Sequence, residues 1–196
     1  AMDASSAARA ADDASMAYVA LKDRDVVALA LSPDGDVLAA TDDGVWRVRA
    51  DGAGAAPLPS DGWPADRRAA LTVACNGRGD VFAIPGRGAE GVFRLRAGAG
   101  RWESVGRATL FVGLPREQAS ALAVLPDGTV LVGMTNPSLY RGETGPGRVY
   151  RSRDAGATFD DVSPDGLGGA SVAAIVAGPD REAWGGWLLG VDGRKK

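Results

Sequence analysis

The stretch VVALALSPDGDVLAAT, residues 26–41, decides the fold because variants of it return along the chain. ALTVACNGRGDVFAI follows at residues 70–84 and ALAVLPDGTVLVGM at residues 121–134. A fourth variant, SVAAIVAGPDREAWGG, begins at Ser171 and keeps the Pro-Asp pair of the turn but loses the glycine. Each variant joins two short apolar runs through a tight turn, which is the pattern of a β-hairpin. The chain therefore holds four related units.

The spacing of these units predicts their architecture. The equivalent turn positions Gly35, Gly79, Gly128 and Arg181 lie 44, 49 and 53 residues apart, a period typical of the blades of a β-propeller. The first run of each unit is apolar without alternation, which favours an inner strand covered on both of its faces. The second strands are predicted directly after the turns, at residues 37–41, 81–84 and 130–134.

A repeated pair, an aromatic residue followed by arginine, marks the third strands. Trp46, Phe93 and Tyr150 occupy matched positions in three units, and their rings are expected in the core of the blades. The predicted third strands cover residues 45–48, 92–95 and 149–151. Fourth strands are predicted at residues 102–105 and 159–162, whereas residues 57–59 make a poor strand because proline removes a donor from the ladder.

The sequence predicts one all-β domain over residues 16–193, a β-propeller of four blade units with four antiparallel strands in each. Residues 1–15 are rich in alanine and are expected to form a flexible N-terminal segment. The last unit lacks its outer strand, and residues 17–21 could supply that strand and close the ring. The alternative is a half-ring that pairs with a second copy or with a missing segment to give about eight blades. A self-closed monomer is favoured because a half-ring leaves two apolar faces exposed.

Composition argues against several classes of function. The 196 residues carry a net charge of −3 and no histidine, so neither a nucleic-acid surface nor a histidine base is expected. The single cysteine, Cys75, excludes an internal disulfide and a CxxC metal or redox site, and it is predicted to be a buried filler. No apolar run is long enough to cross a bilayer. We therefore predict no metal, no nucleic-acid partner and no membrane insertion.

Two short motifs have simpler structural explanations. The GxGxxG match at residues 86–91 runs into a predicted strand. No helix N-terminus is therefore available there to hold a pyrophosphate, and no cofactor is predicted. The integrin-like tripeptide Arg-Gly-Asp at residues 78–80 occupies the same hairpin turn as residues 33–36, so turn geometry explains its glycine and aspartate.

The segment SRDAGATF, residues 152–159, resembles the Asp-box, or BNR, pattern S-x-D-x-G-x-T-W/F. Asp-box proteins, which include sialidases, sortilin-type receptors and photosystem assembly factors, are β-propellers. The stretch SPDGDVLAATDDGVWRV at residues 32–48 is also similar to blades of bacterial sensor propellers. The resemblance implies a structural loop between the third and fourth strands of one blade. The residues to which it assigns this role are Ser152, Asp154, Gly156, Thr158 and Phe159.

The resemblance to sialidases does not extend to their chemistry. Those enzymes use an arginine cluster, a Tyr/Glu nucleophile pair and an acid. Only Tyr140, of the three tyrosines here, falls outside a predicted strand and near a glutamate, Glu143, and the Phe-Arg-Ile-Pro motif is missing. We therefore predict no catalytic residues and no enzymatic activity.

The resemblance also implies a ligand face opposite the Asp-box, built from the loops between second and third strands and from the connections between blades. The loop at residues 136–147 is longer than an ordinary hairpin loop, and residues 110–112 form an apolar patch. The interaction residues predicted on this face are Trp63, Arg87, Phe111, Arg116, Tyr140, Arg141 and Glu143.

The predicted function is a non-catalytic binding or scaffold module that recognises a protein partner. The alternatives are a glycan-binding module and a degenerate glycoside hydrolase. A periplasmic or secreted location is favoured over a cytoplasmic one.

Overall fold

The computed structural model describes residues 21, 23–52, 54–86, 91–106, 118–125, 127–135, 148–165 and 172–175. Within these residues the chain forms twelve strands in three four-stranded antiparallel sheets and no helix. Strand order within each sheet follows chain order, so every sheet is a meander. The prediction of an all-β fold is confirmed. A helix long and apolar enough to span a membrane is not found in the described part of the chain.

The strand bounds follow the repeat units. Sheet 1 contains β1 (Val26–Leu31), β2 (Val37–Thr41), β3 (Gly44–Val48) and β4 (Ala55–Pro57). Sheet 2 contains β5 (Ala70–Cys75), β6 (Val81–Pro85), β7 (Val92–Leu95) and β8 (Trp102–Val105). Sheet 3 contains β9 (Gln118–Val124), β10 (Val130–Thr135), β11 (Arg148–Ser152) and β12 (Asp160–Asp161). The predicted second and third strands are confirmed to within one residue at each end. The fourth strand of sheet 1 lies at Ala55–Pro57 and overlaps the poor candidate at residues 57–59 only at Pro57.

The three sheets share one turn between their first and second strands. In sheet 1 the Ser32 amide donates to the Asp36 carbonyl oxygen at 2.9 Å, and the Gly35 amide donates to the Ser32 carbonyl oxygen at 3.0 Å. The same pair of hydrogen bonds recurs around Gly79 and Gly128. The three glycines have φ angles of 88°, 86° and 89°, a left-handed conformation that favours glycine because it has no Cβ. The repeated sequence therefore encodes one turn geometry.

Successive sheets pack face to face in one direction. Leu38 of sheet 1 and Val73 of sheet 2 belong to one buried cluster. Phe82, whose side chain lies on the other face of sheet 2, belongs to a second cluster with Val132 of sheet 3. Burying an aliphatic or aromatic side chain of this size contributes about 1.5 to 3 kcal/mol. Sheet 2 thus packs one face on sheet 1 and the opposite face on sheet 3.

The predicted burial of the first strands on both faces is wrong for β1. Val27, Leu29 and Leu31 are 59%, 43% and 50% exposed, and burial alternates along this strand. The strands buried at every residue are instead the second ones, β2 and β6. The physical reason is that the second strand has paired neighbours on both edges and an apolar layer on each face. The exposed side chains of β1 lie on the face of sheet 1 that points away from sheet 2. No described sheet packs against that face.

The fourth unit is described only at residues 172–175, which lie against sheet 3. The Val172 amide donates to the Met134 carbonyl oxygen at 3.3 Å, and its carbonyl oxygen accepts from the Ser120 hydroxyl at 2.7 Å. Val172 is buried, and a Cβ at Gly133 would lie 2.4 Å from its Cγ1. The start of the predicted fourth unit therefore covers the free face of sheet 3. Its remainder lies outside the described residues.

Of the predicted closing strand, residues 17–21, only Leu21 is described. Leu21 is buried on sheet 1 in a cluster with Val37, Ala39 and Val48. These residues lie on the same face of sheet 1 as the exposed side chain of Leu29, to judge from the strand register. The closing strand and the domain limits, 1–15 and 16–193, stay predictions.

Candidate functional site

Six of the seven predicted interaction residues lie outside the described part of the chain. They are Arg87, Phe111, Arg116, Tyr140, Arg141 and Glu143. The seventh, Trp63, is half-buried, whereas the sequence predicts an exposed ring. Its ring lies 4.9 Å from that of Trp102 and 5.8 Å from that of Phe93, and its indole N–H donates to the Arg67 carbonyl oxygen at 2.6 Å. Trp63 therefore packs against β7 and β8, and its role in binding stays a prediction.

The loop between β11 and β12 is held by side chains two to four residues apart. The Ser152 hydroxyl donates to Asp154 Oδ1 at 2.7 Å and accepts from the Gly156 amide at 2.8 Å. The Asp154 carboxylate accepts from the Thr158 amide at 2.9 Å and from the Thr158 hydroxyl at 2.6 Å. Phe159 is buried in the cluster between sheets 2 and 3. The five residues for which a structural role is predicted thus belong to one hydrogen-bonded, anchored loop.

These hydrogen bonds also fix the charge of the loop and its position. The pKa of Asp154 is lowered to about 2, mainly by the hydrogen bonds from the Thr158 hydroxyl and amide and less by that from the Ser152 hydroxyl. Gly156 has a φ of 93°, and a Cβ there would lie 3.0 Å from Val105 Cγ2. The loop is therefore pressed against β8 of the neighbouring sheet, and Asp154 is ionised at neutral pH with its oxygens engaged.

A groove of about 720 Å³ lies beside this loop, between sheets 2 and 3. Its walls are residues 76–78, Arg94, Arg96, residues 127–128 and residues 153–155. In an antiparallel meander the turn between the first two strands and the loop between the last two lie at the same end. The groove therefore opens at the end of the sheets opposite the predicted interaction face.

Arg94 is the most firmly held arginine of the groove. Its Nη2 lies 2.6 Å from Asp80 Oδ2, and its Nη1 donates to the Ala155 carbonyl oxygen of sheet 3 at 3.4 Å. Burial raises the pKa of Asp80, but hydrogen bonds from the Ala97 amide and from the Arg94 and Asn76 side chains outweigh it and lower that pKa below its usual value. The pair is therefore charged at neutral pH, and the guanidinium bridges two sheets.

The other three arginines of the groove differ in their partners. Arg96 lies 3.1 Å from Glu103, in a pair whose side chains are about half exposed. Arg78 and Arg153 are exposed and form no ion pair within the described residues. Exposed ion pairs contribute little free energy and exchange readily with other partners. Two guanidinium groups are thus unpaired by the described chain, and a third is weakly paired.

The cavity at the equivalent boundary, or seam, between sheets 1 and 2 is smaller than the groove between sheets 2 and 3. It holds a cavity of about 280 Å³ with a largely apolar wall that includes Pro57, Leu58 and Val81, with Arg47 and Arg96 as its charged residues. Arg47 occupies the strand position of Arg94, and it lies 3.8 Å from Asp36 as Arg94 lies beside Asp80. Of the two described seams, only the one between sheets 2 and 3 has a groove lined by four arginines. The pairing of a third-strand arginine with an aspartate occurs at both.

Sequence reasoning missed the groove because its arginines come from separate units. Arg78 belongs to the integrin-like tripeptide, whose turn geometry is confirmed by the hydrogen bonds around Gly79. Arg153 lies inside the Asp-box-like loop, but it occupies a variable position of the pattern S-x-D-x-G-x-T-W/F. The matched arginines of the third strands were the available signal, since they place Arg94 on a defined face. The stacking of two sheets is what brings the four side chains to one groove.

Metal binding and thiol chemistry find no support in the described residues. No group of three or more His, Cys, Asp and Glu side chains that could hold a metal ion is found among them. Cys75 is half-buried, and burial raises the pKa of its thiol to about 11. The thiol is protonated at neutral pH, as fits the predicted role of a filler at the end of β5.

Comparison with known proteins gives similarity in structure only. No protein-family model matches the chain, and no curated protein matches its sequence significantly. Two solved structures of an extracellular domain from B. thetaiotaomicron, described as part of a candidate hybrid two-component system and of a candidate one-component system, superpose with TM-scores of 0.56 and 0.55 at 12% identity. They match 78% and 79% of this chain, which spans only 18% and 19% of theirs.

A third solved structure, of a candidate gluconolactonase, superposes with a TM-score of 0.52 at 18% identity, over 72% of this chain and 49% of that protein. At these identities the likeness concerns the fold alone. The three meanders, their one-directional stacking and these propeller-type neighbours agree. The chain has a β-propeller fold, in which sheets 1, 2 and 3 are successive blades.

Proposed function

We propose that the chain is a non-catalytic propeller module that binds a protein partner. The observation that carries this proposal is the open groove between sheets 2 and 3, whose walls are turns and strands held by hydrogen bonds before any ligand arrives. A preformed surface of this kind binds with a smaller loss of conformational freedom than a mobile one. The proposed module is a single domain over residues 16–193.

Three further assignments accompany this proposal. The hydrogen bonds of Ser152, Asp154 and Thr158 support our assignment of the loop at residues 152–159 as a structural Asp-box. The B. thetaiotaomicron neighbours are described as the extracellular domain of a candidate hybrid two-component system and of a candidate one-component system, and a periplasmic or secreted location is proposed for this chain by that likeness. The predicted loop face, with Tyr140 and Arg141, would be a second contact surface at the opposite end.

The test is affinity capture with the full chain as bait, from periplasmic and secreted extracts of the source organism. The captured protein is then purified and its dissociation constant is measured by biolayer interferometry. Two variant baits locate the contact: Arg78→Gln with Arg153→Gln for the groove, and Phe111→Ala with Tyr140→Ala and Arg141→Ala for the loop face. Failure of the folded wild-type chain to capture any protein that binds after purification would contradict the proposal.

Glycan binding and catalysis are the competing functions. The candidate gluconolactonase among the structural neighbours gives a specific reason to assay lactone hydrolysis, and fluorogenic glycosides test the degenerate glycoside hydrolase. A glycan array tests the lectin-like alternative. Turnover that one carboxylate substitution abolishes, or a glycan bound more tightly than any captured protein, would replace the proposed function.

A further inference from the structure

We infer that the groove between sheets 2 and 3 binds an acidic peptide segment, one that presents Asp or Glu carboxylates, on the protein partner. This inference rests on the proposed function, and it adds the chemical class of the recognised segment. The groove walls carry arginine side chains and no aromatic ring.

Four arginines, Arg78, Arg94, Arg96 and Arg153, line the groove together with Asp127 and Asp154, in a chain whose net charge is −3. Arg94 and Arg96 are paired with Asp80 and Glu103, so the positive groups without an ion-pair partner in the described chain are Arg78 and Arg153. A guanidinium group donates two parallel N–H bonds to one carboxylate, which adds geometric selectivity to the attraction of opposite charges. The attraction is therefore local to this seam and is not a property of the whole surface.

The two aspartates of the walls are turned toward their own loops. Asp154 accepts hydrogen bonds from Ser152 and Thr158, and Asp127 Oδ1 accepts from the Thr129 amide at 2.9 Å. Carboxylate oxygens that are engaged in this way repel an incoming anion less than free ones, because the donors around them offset part of their charge. Arg78 and Arg153 are thus the charged groups of the groove whose hydrogen bonds are not already taken up by the described chain.

Arg94 supplies a fixed positive group in the groove wall. Its side chain is 18% exposed, and Asp80 and the Ala155 carbonyl oxygen hold its two terminal nitrogens. Its Nε is buried and has no hydrogen-bond acceptor among the described residues. Arg78 and Arg153 stand at the walls without an ion-pair partner there. Arg78 and Arg153 are therefore the guanidinium groups available to carboxylates of a ligand, and Arg94 is a fixed one beside them.

The shape and chemistry of the walls favour a peptide over a sugar or a single small ion. The volume of about 720 Å³ exceeds what one inorganic anion needs, so the groove suits an extended ligand. No aromatic side chain lines it, whereas sugar-binding sites stack their ligands on aromatic rings. Exposed turn backbone at Gly77 can hydrogen-bond the main chain of a peptide. An acidic peptide fits all three observations.

The test is fluorescence anisotropy with a fluorescein-labelled octaglutamate peptide and the full chain. Binding is expected at 50 mM salt and is expected to weaken steadily toward 500 mM, because salt screens exposed charges. The variant Arg78→Gln with Arg153→Gln should bind at least about tenfold more weakly, since it loses two guanidinium groups that can donate paired hydrogen bonds to the peptide carboxylates. A neutral Gly-Ser octapeptide should not bind.

A matched control is Arg49→Gln with Arg101→Gln, which removes the same two positive charges from exposed ion pairs outside the groove. Its affinity should stay within about twofold of wild type, and circular dichroism should show unchanged melting for both variants. Equal weakening in the two double variants, or no binding of octaglutamate by the folded wild type, would overturn the inference. Tighter, Arg78- and Arg153-dependent binding of a sulfated oligosaccharide would assign the groove to an acidic sugar instead.

The capture experiment separates this inference from the proposed function. If octaglutamate fails to bind while a captured partner binds the chain with unchanged affinity after Arg78→Gln and Arg153→Gln, the inference alone is wrong. If neither the peptide nor any partner binds the folded chain, the proposed function is wrong as well.

Discussion

Leu29 and Val73 occupy the same position in two successive sheets, yet Leu29 is 43% exposed and Val73 is 4% exposed. Leu29 pairs with Ala39 and Val73 with Ala83 in identical registers. Val73 is buried because sheet 1 covers that face of sheet 2, in the cluster that also contains Leu38. The corresponding face of sheet 1 has no described sheet against it. A further blade is therefore expected to cover Leu29 in the complete ring.

We predict that Leu29→Asp lowers the free energy of unfolding by about 1 to 3 kcal/mol, because a covering blade would bury the new charge. Ala99→Asp, in an exposed loop, is the matched control and should change it by less than about 0.5 kcal/mol. Urea denaturation followed by circular dichroism measures both. Equal, small effects would show that this face is open to water.

We predict that the full chain sediments as a monomer, since closure of the ring through residues 17–21 would cover the face of sheet 1 that carries Leu29. Deletion of residues 1–22 should then destabilise the chain or make it associate. A stable, unchanged monomer after the deletion would rule out closure by that strand, and an obligate dimer of the full chain would favour the shared ring.

We predict that Asp154→Ala destabilises the fold by about 1 to 2 kcal/mol, because the Thr158 amide and both hydroxyls of the loop lose their acceptor. The cost stays modest since the carboxylate is exposed and water replaces part of the lost bonding. Asp160→Ala, at another exposed carboxylate nearby, is the control. Thermal denaturation should separate the two variants, and identical melting curves would argue against a structural role for Asp154.

Stability should also depend on the ionisation of Asp154. Its pKa is lowered from 3.8 to about 2 on folding, so its contribution is present above about pH 4 and is lost as the pH falls toward 2. The Asp154→Asn variant lacks this titration. The difference in unfolding free energy between wild type and Asp154→Asn should therefore shrink between pH 4 and pH 2. A difference that stays constant over this interval would contradict the lowered pKa.

Gly133 tests the contact between sheet 3 and the fourth unit. Gly133→Ala places a Cβ 2.4 Å from Val172 Cγ1 and 3.1 Å from the Ala121 Cβ, and such overpacking costs about 1 to 3 kcal/mol. The double variant Gly133→Ala with Val172→Ala should recover part of this loss, because it removes the clashing methyl groups. Gly100→Ala, which meets nothing within 4 Å, should be tolerated. A neutral Gly133→Ala would indicate that residues 172–175 do not pack there.

The strands that sequence predicted best are those bounded by tight turns. Residues 92–95 and 102–105 coincide with β7 and β8, because a short apolar or alternating run between turn residues leaves few other structures. The exposure of β1 was not predictable from the sequence. An unbroken apolar run indicates that both faces of a strand can be buried, but it does not show which blade would bury each face. The half-burial of Trp63 was not predictable for a related reason. It lies in a connection, but its ring packs on a neighbouring sheet.

The one-directional stacking of the sheets has a consequence for how such a chain can change over generations. Each contact joins two different surfaces, so the interface is heterologous, and every unit carries one surface of each kind. A duplicated unit therefore arrives with both surfaces already complementary to its neighbours. Blades can be gained or lost without the invention of a new interface, while single residues such as Arg78 and Arg153 are free to diverge and make one seam unlike the others.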